Sequence, residues 1–320
     1  MSTRLLHSGH AQVTIVLLGV LFAAIWSLSF VATKAALADL GPASLASGRL
    51  LLAGILLSVL IHPRLYAFFR GLNRSQMRRV LLAGLLSQAG YLTASYWSLL
   101  HLPTSLVNIV VSSLPLATVP FAFFILHEQV RAITVVSFIL SMTGVAVTLM
   151  SGSDFLAIEP DFILPSAILF ASVLMLACGN VIVKPLINPT TLLPICALQF
   201  LSSGLLVSGL AVVSEPLPTL PGIWQAAPYI GFLAVIGSIV GTLIWFKILE
   251  KLPANTASGF FILTPVFGIL LGRFVFGEEI TTNKVVGVII IGLAILLQAT
   301  RSYLEKRRLM TKAEAGMQRH

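Results

Sequence analysis

Charge is what this sequence has least of. Of its 320 residues only 10% are Asp, Glu, Lys or Arg, where a soluble domain carries roughly 25%, and 57% are hydrophobic. No water-facing surface can be built from so few charges, which excludes a soluble enzyme, a disordered chain and a fibrous protein. Cysteine is nearly absent too. Cys178 and Cys196 both sit inside apolar runs, so there is no disulfide framework and no metal-ligand spacing. A His-Glu-x-x-His set, a carboxylate cluster and a Walker A loop are all missing. An intramembrane metalloprotease, a metal-dependent transferase and an ATPase are therefore not expected, and nothing asks for a metal or another cofactor.

What is present is apolar sequence in long runs. A bilayer-crossing helix needs about 20 mostly apolar residues. Ten such runs can be marked: 12–31, 43–61, 80–100, 104–126, 132–150, 162–183, 191–213, 225–247, 255–276 and 284–300. The first is too long for a signal-peptide core and carries Trp26 and Lys34. An even number of spans puts both termini on one side. With the N-terminus in the cytoplasm, sixteen of the 20 basic residues fall on cytoplasmic segments and only Lys34, Arg273 and Lys284 in outer loops. The positive-inside rule favours that orientation in a cytoplasmic membrane. This also explains the net charge of +9 by orientation and contact with anionic lipid, with no need for nucleic acid.

A shift of 150 residues superimposes one half of the chain on the other without a gap. Lys34 meets Lys184, Gly54 meets Gly204, Pro115 meets Pro265 and Glu128 meets Glu278, and His101-Leu102-Pro103 meets Lys251-Leu252-Pro253. Each half holds five spans, an odd number, so the halves must enter the membrane in opposite senses. The expected fold is an all-α integral membrane protein of ten transmembrane helices in two inverted five-helix repeats. Its parts are an N-terminus 1–11, a first repeat 12–150, an acidic outer loop 151–161, a second repeat 162–300 and a basic tail 301–320. Inverted repeats are a common plan of secondary transporters, with solute held near the midplane where the repeats meet.

The stretch Trp26-Ser27-Leu28-Ser29-Phe30-Val31-Ala32-Thr33-Lys34, Arg49, Pro115 with His127-Glu128, and Pro265 with Gly277-Glu278 give the chain a specific likeness. It resembles the drug/metabolite transporter superfamily, and within it the EamA-type ten-helix exporters, over about 12–300. The family pattern usually has Gly where this chain has Ser27, and Gly where it has His127. The resemblance implies movement of small metabolites, amino acids or drug-like solutes, commonly outward. A lipid-linked-sugar flippase or a membrane receptor of the same fold is the alternative.

Single residues sharpen the expectation. Arg49 lies seven residues after Pro42, about 10 Å into its span at 1.5 Å per residue. A mid-span Arg costs about 2.5–3.5 kcal/mol on insertion scales, so it must face the bundle, water or a partner. It reads as a carboxylate reader or as a pin between helices, and its repeat mate is Gln199. Gln88, Tyr91 and Ser95 share one stripe of the third span, and Asn108 and Ser112 one stripe of the fourth. The expected solute-binding set is Trp26, Arg49, Tyr91, Asn108, Asn180 and Gln199. Pro115 and Pro265, each about twelve residues into a span, are expected to bend their helices for gating. No acidic residue lies near the centre of a span, so at most weak proton coupling is expected. Oligomeric state is left open.

Overall fold

The computed structural model describes residues 2–127, 132–148, 160–251, 259–294 and 296–297. The expectations for Glu128, for 151–159 of the acidic loop and for the 301–320 tail lie outside these, and Pro160 and Asp161, expected in that loop, instead begin a helix. All regular structure among the described residues is helical. The chain runs α1 (Ser2–Ala36), α2 (Pro42–Leu60), α3 (His62–Gly71) and α4 (Arg74–Gly84). A π-helical turn, Leu85–Gly90, joins α4 to α5 (Tyr91–His101). Next come α6 (Thr104–Val111), α7 (Leu114–Leu126), α8 (Ala132–Thr148), α9 (Pro160–Val183) and α10 (Leu192–Ser214). A second π-helical stretch, Leu233–Val240, joins α11 (Leu220–Phe232) to α12 (Gly241–Lys251). The described chain closes with α13 (Thr264–Phe276) and α14 (Thr282–Ala294).

Six of these stretches are long and apolar enough to cross a membrane: 14–36, 42–60, 104–126, 161–186, 192–214 and 220–245. Side chains such as Val59, Leu60, Val213 and Phe274 point outward at 72%, 74%, 86% and 82% exposure. Apolar surface on that scale belongs in lipid. The chain is a multi-span membrane protein. The continuous helix from Arg74 to His101 falls outside the set of six because Ser87, Gln88, Tyr91 and Ser95 interrupt its apolar run.

Local sequence sets the helix ends. Pro42 opens α2 at its first turn, where its missing N–H is no loss. Asn73 and Gln76 form a capping box at α4, with bonds of 2.9 and 3.1 Å. His127 ends α7 at φ 56°, and its repeat mate Gly277 ends α13 at φ 67°. Left-handed backbone of this kind suits Gly. The departure at His127 therefore falls where glycine has a stereochemical reason to stand. At the other departure, the fully buried Ser27 donates to the Thr264 carbonyl at 3.1 Å and ties α1 to the start of α13.

The most extensive helix pair is α2 against α10. A Cβ added at Gly54 would meet Leu201 at 2.9 Å, and one added at Gly204 would meet Leu51 at the same distance. This is one contact made twice, with the two positions exchanged by the 150-residue shift. The two π-helical stretches also fall at matching positions in the halves, as do the breaks before Pro115 and Pro265.

At one end of the bundle two carboxylates cross from the second half to the first. Glu215, just past α10, accepts from the Ala43 and Ser44 amides and the Ser44 hydroxyl at 2.7, 2.9 and 2.7 Å. Glu278, just past α13, accepts from the Thr104 and Ser105 amides and the Ser105 hydroxyl at 2.5, 3.0 and 2.5 Å. Each carboxylate satisfies amides that a helix N-terminus leaves unpaired and sits at the positive end of the helix dipole. The recipients read Pro-Ala-Ser and Pro-Thr-Ser. Lys34, at the same end, donates to the Leu102 carbonyl at 3.0 Å and lies 5.6 Å above the Phe276 ring. It is held within the bundle, not snorkelling to an interface.

Candidate functional site

A cavity of about 90 Å³ lies between the halves. Pockets for drug-sized ligands run to about 300–1,000 Å³, so the cavity is small beside them. The first half supplies Trp26, Ser29, Phe30 and Thr33 from α1, Arg49 from α2, Ser87 and Gln88 from the π turn, and Tyr91, Leu92 and Tyr96 from α5. The second half supplies Leu176 from α9, Phe200 from α10, Gly237 and Ser238 from its π stretch, and Thr242 from α12.

Arg49 organises the polar side. Its Nε donates to Ser238 Oγ at 2.9 Å and its Nη1 to Tyr96 Oη at 2.7 Å. The bond to Ser238 bridges the halves, the bond to Tyr96 lies within the first, and together they fix the plane of the guanidinium. A Cβ at Gly237 would stand 3.3 Å from Nη2 and 2.9 Å from Ser29 Oγ, so the glycine leaves room for the cation. No carboxylate lines the cavity. Ser29, Thr33 and Ser87 donate their hydroxyl protons to carbonyls one turn back, at 2.8, 2.8 and 2.7 Å, which leaves oxygen lone pairs for the cavity.

The apolar side is aromatic. Trp26 and Tyr91 stack with centroids 6.5 Å apart. Beyond Trp26 lie Phe22, Trp245 and Phe261, with centroids between 5.0 and 5.5 Å. Phe260 fills the space that a side chain at Gly19 would need. These rings close one side of the cavity. Trp245 therefore serves the interior, not an interfacial belt.

Of the expected solute-binding residues, Trp26, Arg49 and Tyr91 meet around this cavity. Three others stand elsewhere. Asn180 is exposed on α9 and does not line the cavity, although Leu176, one turn earlier on the same face, does. Gln199 is buried and reaches the Val80 carbonyl at 3.4 Å, with its stem against Gly84, so it joins α10 to α4. Asn108 is fully buried, donates to the Thr104 carbonyl at 3.0 Å and packs into the space left by Gly268. Gly268 and Gly272 thus serve packing inside the chain, the latter making room for Glu278. Pro115 and Pro265 sit in the first turns of α7 and α13, directly after breaks in the helix at Ser112–Ser113 and in the 3-10 turn Gly259–Leu263. A proline has no N–H for the preceding turn and its ring crowds the carbonyl four residues back, so each helix is interrupted just before it.

The second-half contributors Gly237, Ser238 and Thr242 were not among the expected residues. Small hydroxyls and glycines are common in membrane helices, and only the pairing with Arg49 distinguishes these. The repeat offered a signal, because Ser87 and Gln88 are the mates of Gly237 and Ser238.

A helical membrane protein with a polar cavity between matched halves, and no group of three or more His, Cys, Asp or Glu side chains among its described residues, has the form of a carrier. The model of the EamA-like transporter family matches residues 13–150 and again 165–300. The chain belongs to the EamA-like transporter family. Among its curated relatives is Protein PecM of Dickeya dadantii, 25% identical over 72% of this chain and 76% of that protein. Another is a probable amino-acid metabolite efflux pump of Salmonella typhimurium, 24% identical over 86% of this chain and 91% of that protein. A crystal structure at 18% identity superimposes with a TM-score of 0.63, covering 92% of this chain and 98% of the other. That likeness establishes the fold alone. The family match makes the chain a transport protein.

Proposed function

We propose that this EamA-family protein moves small organic solutes, such as amino-acid metabolites or drug-like compounds, out of the cytoplasm by alternating access. The cavity around Arg49 is the solute site. The chain has ten spans in two inverted five-helix halves, 12–150 and 162–300, with both termini cytoplasmic in the inner membrane. One observation carries this reading: a single polar cavity draws its walls from both halves, through residues at matching places in the repeat. The reciprocal α2–α10 contact and the bias of basic residues to one side support the inverted arrangement and its orientation. The printed name of the Salmonella relative supports the solute class and the outward sense.

In this mechanism the aromatic cluster Phe22–Trp26–Trp245–Phe261 closes the cytoplasmic path. The Glu215 and Glu278 contacts hold the outer ends of the halves together. Opening one side while the other stays shut exposes the cavity alternately. Reconstitution tests the reading. Proteoliposomes loaded with a mixture of amino acids, aromatic acids and cationic dyes should exchange at least one of them faster than protein-free vesicles. Solute binding without any flux would point to a receptor. Movement of lipid-linked sugar alone would point to a flippase.

A further inference from the structure

We infer that the solute this cavity selects is an organic monoanion: a carboxylate borne on a flat apolar body. The inference rests on reading the cavity as the transport site and adds the chemical class of its occupant. Two donors in the cavity wall lack acceptors. Arg49 spends Nε and Nη1 on Ser238 and Tyr96, while its Nη2, beside Gly237, has no hydrogen-bond partner among the described residues. Trp26 lines the same cavity, and its indole N–H is buried with no acceptor. The buried, unpaired indole N–H is costly and marks a place for a missing acceptor, and the half-buried guanidinium adds a charged donor on the same cavity wall. A carboxylate supplies two acceptor oxygens and a charge to match the guanidinium.

Electrostatics narrow the class further. Among the described residues, Arg49 is the only cationic side chain lining the cavity, and no Asp or Glu lines it. A cation would be repelled by that charge, with no carboxylate there to balance it. A phosphate carries about −1.5 to −2 charges near pH 7, and one guanidinium would leave such a dianion under-neutralised in a low-dielectric site. A carboxylate is balanced by that one charge. The rest of the solute meets Trp26, Phe30, Tyr91 and Phe200. These rings favour a flat hydrocarbon or aromatic body. Tyr96 and Ser238 are positioning residues, because they orient the guanidinium with its free edge to the cavity.

Three near-isosteric probes test this in the solubilised full-length chain by calorimetry: phenylacetate, phenylacetamide and phenethylammonium. Phenylacetate should bind about ten- to a hundredfold tighter than the amide, the range expected for a hydrogen bond to a charged group. Phenethylammonium should bind weakest. Arg49→Gln should erase the preference for acid over amide, and Arg49→Lys, which keeps the charge, should retain part of it. Tyr96→Phe should reduce the preference for acid over amide. Equal affinity for acid and amide, or tightest binding of the ammonium, would overturn the inference, and wild-type protein alone decides this if a variant does not fold. Flux of the same probes in proteoliposomes keeps the two readings apart. If none of the three binds while another solute is carried, the anion class is wrong and transport stands. If phenylacetate binds selectively but no solute crosses, the anion site stands and the transport reading fails.

Discussion

Arg49 shows how a single costly residue is made to serve a membrane helix. Its charge is not neutralised by a carboxylate at the cavity but spread over a serine and a tyrosine from different helices, and the space for it is cleared by Gly237. Gly237→Ala should therefore displace the guanidinium and cut flux about tenfold, the loss of roughly one charge-assisted bond. Gly231→Ala, whose added methyl would meet nothing within 4 Å, should leave flux unchanged. Paired flux measurements in proteoliposomes check this, and equal rates for the two variants would remove Gly237 from the site. Asn180→Ala should also be silent, since its side chain lies outside the cavity. At His127, replacement by Gly should relieve the left-handed backbone and stabilise the protein by about 1 kcal/mol. Thermal unfolding of the solubilised chain would register this as a higher midpoint, and a lower one would contradict the assignment of strain. Residues with unusual chemistry in lipid were the legible ones: Trp26, Arg49 and Tyr91 announce themselves by the expense of burying them. Asn180 misled because near-symmetry in sequence does not require symmetry of side-chain role. Phe30 lines the cavity and its mate Asn180 turns away.

Helices and their ends carry the coupling between halves. Glu215 and Glu278 each accept three hydrogen bonds across the repeat boundary, at the N-terminus of α2 and of α6 respectively. Glu278→Ala should remove a half-buried set of charge-assisted bonds and cost about 1.5 kcal/mol. Glu278→Gln keeps the shape and should cost less. Denaturation of the two variants beside wild type measures the difference, and equal stability of all three would show that the carboxylate ties nothing. Six of the ten expected spans meet helices long and apolar enough to cross a membrane among the described residues, and these were legible because apolar length is a strong signal. The π-helical turns were not. A widened turn changes which residues share a face, yet it has no residue type of its own, and its position emerges only from packing. That is why the third span was read as an ideal stripe including Ser95. In the structure Ser95 is buried against its own helix, bonded to the Leu92 carbonyl at 3.1 Å, while Ser87 and Gln88 reach the cavity.

Across the whole molecule, a duplicated unit has been made asymmetric. One side of the cavity is shut by aromatic rings. The opposite end is tied by carboxylates and Lys34, and the repeat mates of those rings are Ser172, Leu176, Ser95 and Val111. Closure on one side thus depends on dispersion and apolar burial, and on the other on charge-assisted bonds that water can replace. The cavity wall contains no Asp, Glu or His, so no lining side chain can relay a proton by changing its charge near neutral pH. Flux at fixed substrate gradient and fixed membrane potential should be indifferent to an imposed proton gradient. A rate that follows the pH difference across the vesicle would show a relay elsewhere in the chain.

The central claim is that one cavity between the halves is reached from each side of the membrane in turn and holds the solute. Thr242→Cys, in a background with Cys178 and Cys196 replaced by Ala, places one thiol on its wall. A membrane-impermeant thiol reagent applied separately to right-side-out and inside-out vesicles measures access directly. The account predicts labelling from both sides, slowed on both by a transported solute. Labelling from neither side, or from one side only and unaffected by any solute that the protein carries, would contradict it.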